Sequence, residues 1–171
     1  TLPSKTYPSV PCSVIHAGGN ITFKDFEWRD QGFYQIKPYP IYDAAHFFKK
    51  NMYEIICESG DLNQCGFVCI SFSATKPINI GKGGMILTND KVAVDWFKQA
   101  RYCGRHEAPL MEDSFDMIGW NMYMTPEQAA RAEQKRFNEE WYRAHRLMPH
   151  IEFYRSILPQ QKDTSYAVNS G

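Results

Sequence analysis

Apolar residues along this chain gather in short runs cut by glycine and proline, and two stretches of helical spacing follow toward the C-terminus. Cys12-Ser-Val-Ile-His-Ala17, stopped by Gly18 and Gly19, reads as a strand and a turn. Phe23 to Asp30 reads as a short amphipathic helix, with Phe23, Phe26 and Phe33 roughly on one face. Tyr39 to Asp43 predicts a strand whose pairing Pro40 limits. Residues 44–58 leave two readings open. Ala44 to Phe48 can open a helix, and Met52 to Cys57 can be a strand or the continuation of that helix.

Gly66-Phe-Val-Cys-Ile-Ser-Phe72 is a nearly continuous apolar run, the pattern of a central strand covered on both faces. Gly84 to Thr88 is a second strand placed to pair nearby. Asn89 then caps a helix to about Cys103, with Val92, Ala93, Trp96, Phe97 and Ala100 as its buried stripe and Gly104 at its end. Residues 105–120 read as a loop. Thr125-Pro-Glu-Gln128 is a strong helix start: Thr125 as N-cap, Pro126 at the first helical position, Gln128 closing a capping box. The helix is expected to run to about Leu158, bent near Pro149. Strands alternating with helices predict an α/β fold with a mostly parallel sheet and flanking helices.

Composition narrows the class. At 171 residues, with 43% hydrophobic and 15% aromatic residues, the chain is a packed globular protein with a substantial core. Nineteen basic residues balance nineteen acidic ones, so no strong global field favours nucleic acid or an anionic membrane as partner. No apolar run approaches a membrane span and no signal-peptide pattern is seen, which reads as cytoplasmic. The five cysteines are odd in number and form no CxxC pair; three sit in apolar runs. They read as free, buried thiols in a reducing cytosol. A zinc site on Cys65 and Cys69 is the alternative, but its spacing does not fit structural zinc patterns, so no metal is expected.

Candidate chemistry lies at the carboxyl ends of the predicted strands, where open α/β sheets gather ligands. Lys76 follows the apolar run through Ser71, and Asp43 ends the strand before it. A lysine behind a buried strand is disfavoured as an ammonium, which activates its amine toward an aldehyde. An acid nearby can hold a pyridine nitrogen protonated. Together they are the two groups that pyridoxal phosphate chemistry requires. Asp43 can instead cap the segment after it. His46 projects to the same side if Ala44 starts a helix. Ser71 and Ser73 share a strand face, and a hydroxyl there can bind a phosphate oxygen; Ser73 reads rather as satisfying backbone. Gly81, Gly83 and Gly84 read as a structural turn behind Lys76, and Lys82 as solvated.

Four motifs occur in order: Asp43-Ala-Ala-His46, Ser71-Phe-Ser-Ala-Thr-Lys76, Gly81-Lys-Gly-Gly-Met-Ile-Leu-Thr-Asn-Asp90 and Gly119-Trp-Asn-Met-Tyr-Met-Thr-Pro-Glu-Gln-Ala-Ala130. Together they resemble the DegT/StrS-type sugar aminotransferases, fold type I pyridoxal phosphate enzymes, over roughly residues 10–158. The resemblance implies a homodimer with its active site at the subunit interface. It implies amino transfer, usually from glutamate, to a keto sugar on a nucleotide. Lys76 matches the Schiff-base lysine, Asp43 the acid on the pyridine nitrogen, His46 a cofactor-contacting position and Ser71 a phosphate-contacting serine. Asn121 matches an asparagine that reaches the neighbouring subunit's phosphate. A related dehydratase branch carries histidine in place of the lysine, so Lys76 favours transamination.

The resemblance also implies a shortened chain. Residues 1–124 would be a partial cofactor-binding large domain, 125–158 a long helix leading toward the small domain, and 159–171 a tail. The family's first strands, its phosphate-capping loop and most of its C-terminal domain have no counterpart. Tyr123 and Met124 stand where many relatives have an arginine shortly after the asparagine, and Phe47-Phe48-Lys49-Lys50 replaces small residues after His46. The expected alternatives are therefore a catalytic aminotransferase, as a dimer or completed by a second chain, and a non-catalytic remnant that binds or assembles.

Overall fold

The structure, a computed structural model, describes residues 1–60, 66–137 and 166–170. Its centre is a five-stranded mixed sheet in the order β3-β4-β5-β6-β7. These strands are β3 (Tyr34–Gln35), β4 (Ile41–Asp43), β5 (Phe67–Ser71), β6 (Gly84–Thr88) and β7 (Tyr166–Ser170). A separate two-stranded parallel pair joins β1 (Leu2–Pro3) to β2 (Phe23–Lys24). Among the described residues four α-helices accompany them: α1 (Ser9–His16), α2 (Met52–Ser59), α3 (Lys91–Arg101) and α4 (Pro126–Phe137).

The sheet is not mostly parallel. Only β4 and β5 run parallel within it; the other three pairings are antiparallel. The connections explain this. A parallel pair needs a crossover, and α2 supplies one between β4 and β5. The chain returns from β5 to β6 through a helix-free loop, and from β3 to β4 through a turn containing Pro38 and Pro40, so both pairs close antiparallel.

Strand β5 alternates. Val68 and Ile70 are buried, while Phe67, Cys69 and Ser71 are half-buried on the other face. The buried face packs with Tyr42, Met85, Leu87 and, from α2, Met52, Tyr53 and Ile56. On the opposite face the Phe97 ring of α3 meets Phe67 edge-on at 5.6 Å. Cys69 and Ser71 continue along that second face toward the carboxyl end of β5, where the site lies.

Several local expectations are corrected. Cys12 to Ala17 is not a strand: Ser9–His16 is helical, with Pro11 in the first turn, where a missing N–H costs nothing, and Gly18 (φ 78°) closing the end. Phe23 to Asp30 is not a helix. Phe23 and Lys24 pair with β1, and the Trp28 and Arg29 amides donate to the Glu27 carboxylate at 3.2 and 3.0 Å rather than to helical carbonyls. Met52–Ser59 is helical, which resolves residues 52–57, whereas residues 44–48 form turn and irregular backbone. Asp90, not Asn89, caps α3, accepting from the Ala93 amide at 3.1 Å. The buried side of α3 is carried by Val94 and Ala100; Val92 is 80% and Trp96 48% exposed.

At α4 the capping box forms as read. The Gln128 amide donates to Thr125 Oγ1 at 3.3 Å, and the Thr125 amide donates to Gln128 Oε1 at 2.9 Å. The helix expected to continue to Leu158, with its bend at Pro149, lies outside the described residues beyond Phe137. Residues 166–170, read as part of a tail, form the edge strand β7 along all of β6. The thiols also differ from expectation. Cys57 is disulfide-bonded, and Cys12 and Cys103 are exposed, so free buried thiols no longer argue for a reducing compartment.

Candidate active site

Strands β4 and β5 are neighbours, and Asp43 sits in register with Cys69. Two residues past Cys69, Ser71 ends β5 and the chain enters the loop that carries Lys76. That loop is pinned at its base. The Phe72 amide donates to the Gly83 carbonyl at 2.8 Å, and the Ile80 amide donates to the Phe72 carbonyl at 3.1 Å. Phe72, Ile78 and Ile80 are buried beneath it. From α4, Arg131 donates to the Ile80 carbonyl at 3.2 Å. Gly81 (φ 99°) and Gly83 (φ 105°) occupy backbone conformations that a side chain strains, so they close the loop as glycines must.

Asp43, His46, Ser71 and Lys76 line one open cavity of about 750 Å³. Lys76 is half-buried, and its Nζ shares a hydrogen bond with His46 Nε2 at 2.7 Å. Burial lowers the Lys76 amine from the ordinary lysine value, while the Asp43 charge opposes that shift. Burial, and secondarily the Lys76 charge, lowers His46, again against Asp43. Desolvation wins at both, so both bases shift toward their neutral forms.

The Asp43 carboxylate is held at each oxygen. Oδ1 accepts from the Ala45 amide at 3.0 Å, the structural duty expected of a strand-ending acid. Oδ2 accepts from the Tyr34 hydroxyl at 2.6 Å. Ser71 Oγ donates to Ser73 Oγ at 3.3 Å, and the Ser73 amide donates back to Ser71 Oγ at the same distance. Burial pushes the Cys69 thiol up to about 12, with the Asp43 charge adding to it, so this thiol stays protonated and inert.

The N-terminal segment forms the far wall. Lys5, Thr6 and the start of α1 line the cavity, joined by Trp28 and Arg29. Trp28 stands edge-on to Tyr34, with ring centroids 4.9 Å apart, and 6.1 Å from the His46 ring. Sequence reading missed this wall, and it missed Tyr34. A signal for Tyr34 was present: Phe33-Tyr-Gln-Ile36 and Ile41-Tyr-Asp43 flank a proline-marked turn, and a hairpin across it sets Tyr34 opposite Asp43.

Asn121 is not in the cavity. It is exposed at the end of α3, in an isolated bridge with Tyr102. The 105–116 loop beside it is fastened by Asp113, whose carboxylate meets Arg105 Nε at 3.3 Å and His106 Nδ1 at 3.0 Å. Among the described residues no group of three or more His, Cys, Asp or Glu is placed to hold a metal ion, and no helix is long and apolar enough to cross a membrane.

Residues 12–167 match the model of the DegT/DnrJ/EryC1/StrS aminotransferase family. No curated protein and no solved structure is significantly similar to the chain.

Proposed function

This chain belongs to the DegT/DnrJ/EryC1/StrS aminotransferase family, and from that premise we propose that it is a pyridoxal phosphate-dependent aminotransferase, moving an amino group from glutamate to a keto sugar carried on a nucleotide. One observation carries the reading: a half-buried amine, Lys76, shares a cavity with the fixed carboxylate of Asp43.

The donor set fits the cofactor's chemistry. An amine shifted toward its neutral form suits an aldehyde, and a carboxylate with lone pairs remaining suits a protonated ring nitrogen. The hydroxyl of Ser71, with the cations of Lys5 and Arg29 in the same cavity, suits a phosphate. When bound, pyridoxal phosphate supplies the electron sink that an amino transfer requires.

In this reading Lys76 would hold the aldehyde carbon, Asp43 the ring nitrogen and Ser71 a phosphate oxygen. Lys76 Nζ, shifted toward its neutral form, would be the group that carries a proton between the substrate carbon and the cofactor carbon. His46 Nε2 touches that nitrogen and orients it. Asn121, exposed and away from this cavity, serves the phosphate of a neighbouring subunit, which makes the working form a homodimer or a pair with a second chain.

The test is a titration of the protein with pyridoxal phosphate followed by visible absorption. A band that is absent in Lys76→Ala, and that glutamate bleaches, is the expected result. Identical spectra for the wild type and Lys76→Ala overturn the cofactor assignment. A lysine-dependent band that glutamate leaves unchanged overturns the transfer and leaves a binding module.

A further inference from the structure

We propose that Tyr34 is a positioning residue, holding the Asp43 carboxylate in the orientation that the cofactor's ring nitrogen requires; the inference rests on the pyridoxal phosphate reading above. Tyr34 on β3 lies directly opposite Asp43 on β4 in the antiparallel register. Such cross-strand pairs put both side chains on one face. Tyr34 is only 4% exposed and does not itself line the cavity; of the cavity residues it touches, Asp43 is the one that receives its proton.

The hydrogen-bond directions follow from counting protons. The Tyr34 hydroxyl has one, and it donates this to Asp43 Oδ2 at 2.6 Å. The Thr6 hydroxyl, 2.5 Å from the Tyr34 hydroxyl oxygen, must then be the donor to Tyr34. A chain of donation runs from Thr6 through Tyr34 to Asp43. Burial, followed by the bond to Asp43, raises the Tyr34 phenol above its ordinary value, so it stays a donor at any pH the protein meets.

The ring is held as well. Trp28 packs edge-on against it, and the Trp28 indole N–H is tied to the Lys5 carbonyl at 3.0 Å. With the Ala45 amide on Oδ1 and Tyr34 on Oδ2, the carboxylate cannot rotate about its terminal bond without losing a partner. Its remaining lone pairs point in set directions before any ligand arrives. A group fixed in advance binds more tightly, because its ordering cost is met during folding.

The experiment measures the pyridoxal phosphate dissociation constant and the melting temperature of the cofactor-free protein for wild type, Tyr34→Phe, Asp43→Asn and the double variant. Tyr34→Phe keeps the ring and removes only the donor. The expected result is about tenfold weaker cofactor binding, the size of one hydrogen bond to a charged group. The same change on the Asp43→Asn background is expected to add no further loss, since Tyr34 acts only through that carboxylate. If Tyr34→Phe does not fold, Thr6→Val, itself on the cavity wall, is read through the two backgrounds: the loss is expected with Asp43 present and absent with Asp43→Asn.

Unchanged affinity in Tyr34→Phe, where the wild type binds, overturns this inference alone. So does a loss equal on both backgrounds, or one matched by a lower melting temperature in both. Absence of cofactor binding by the wild type overturns the parent reading together with this one.

Discussion

Lys76 Nζ and His46 Nε2 lie 2.7 Å apart, thirty residues distant in sequence, and both bases are displaced toward their neutral forms. Burial is the leading cause for each. For His46 the sign of the consequence is definite. Its native pKa is lowered, so as pH falls through the ordinary histidine value the unfolded chain takes up the proton first. The stabilising difference is complete above that value and is lost as pH drops toward the native one.

Stability of the cofactor-free protein is therefore expected to rise from mildly acid to neutral pH through this window. Denaturant midpoints measured across it check the point. His46→Gln is expected to flatten the slope; an unchanged slope would assign the proton to another group.

Asp113 behaves in the opposite sense. Its side chain bonds to His106, to Arg105 and to the amides of His106 and Phe115, and the His106 bond leads in lowering its pKa to about 2. A depressed carboxylate adds stability above its unfolded value and loses it as pH falls through the native one. The 105–116 loop is expected to loosen only in strong acid, and to loosen at neutral pH in Asp113→Ala. Faster amide exchange across residues 105–116 in that variant is the readout.

Gly104 has φ 77° and stops α3, its amide donating to the Gln99 carbonyl at 2.9 Å. An added Cβ would run into the Met117 carbonyl oxygen, whereas at Gly18, with φ 78°, it would meet nothing. Gly18→Ala is expected to cost about 1 kcal/mol from backbone strain alone. Gly104→Ala is expected to cost more than about 2 kcal/mol, because the Met117 and Gly119 backbone must shift. Paired thermal melts compare the two.

Thr125→Ala removes the acceptor of the Gln128 amide at the start of α4. The expected cost is about 1 kcal/mol. Because Arg131 on the same helix holds the Ile80 carbonyl in the Lys76 loop, the variant is also expected to speed amide exchange at Ile80 and its neighbours. Exchange confined to α4 would show that the helix does not support the loop.

What could be read from the sequence were the features governed by nearest neighbours along the chain. The Thr125–Gln128 capping box spans one helical turn. The apolar run through Val68 and Ile70 needs only its own alternation and burial to become a strand. Gly81 and Gly83 sit where the turn demands positive φ, and Asp43, His46, Ser71 and Lys76, singled out because they lie at or just past strand ends, line one cavity. Other features failed at the same range. Cys12 to Ala17 has a strand's composition, but a proline in the first turn and a glycine at the end suit a helix equally. Val92 and Trp96 have a buried stripe's spacing, but α3 turns Val94 inward beside the expected Ala100.

Tertiary structure decided everything that depends on who stands opposite whom. Strand direction followed from the connections: the one containing α2 carries the chain back for a parallel pair, and the helix-free Lys76 loop returns it antiparallel. The Tyr166–Ser170 stretch, read as part of a tail, became a strand because β6 offered it an unpaired edge. Tyr34 acquired a role only when the β3–β4 turn set it across from Asp43. The reason is physical: caps and turns act over three or four residues, whereas a sheet register or a shared cavity is the outcome of long-range packing that no local pattern encodes.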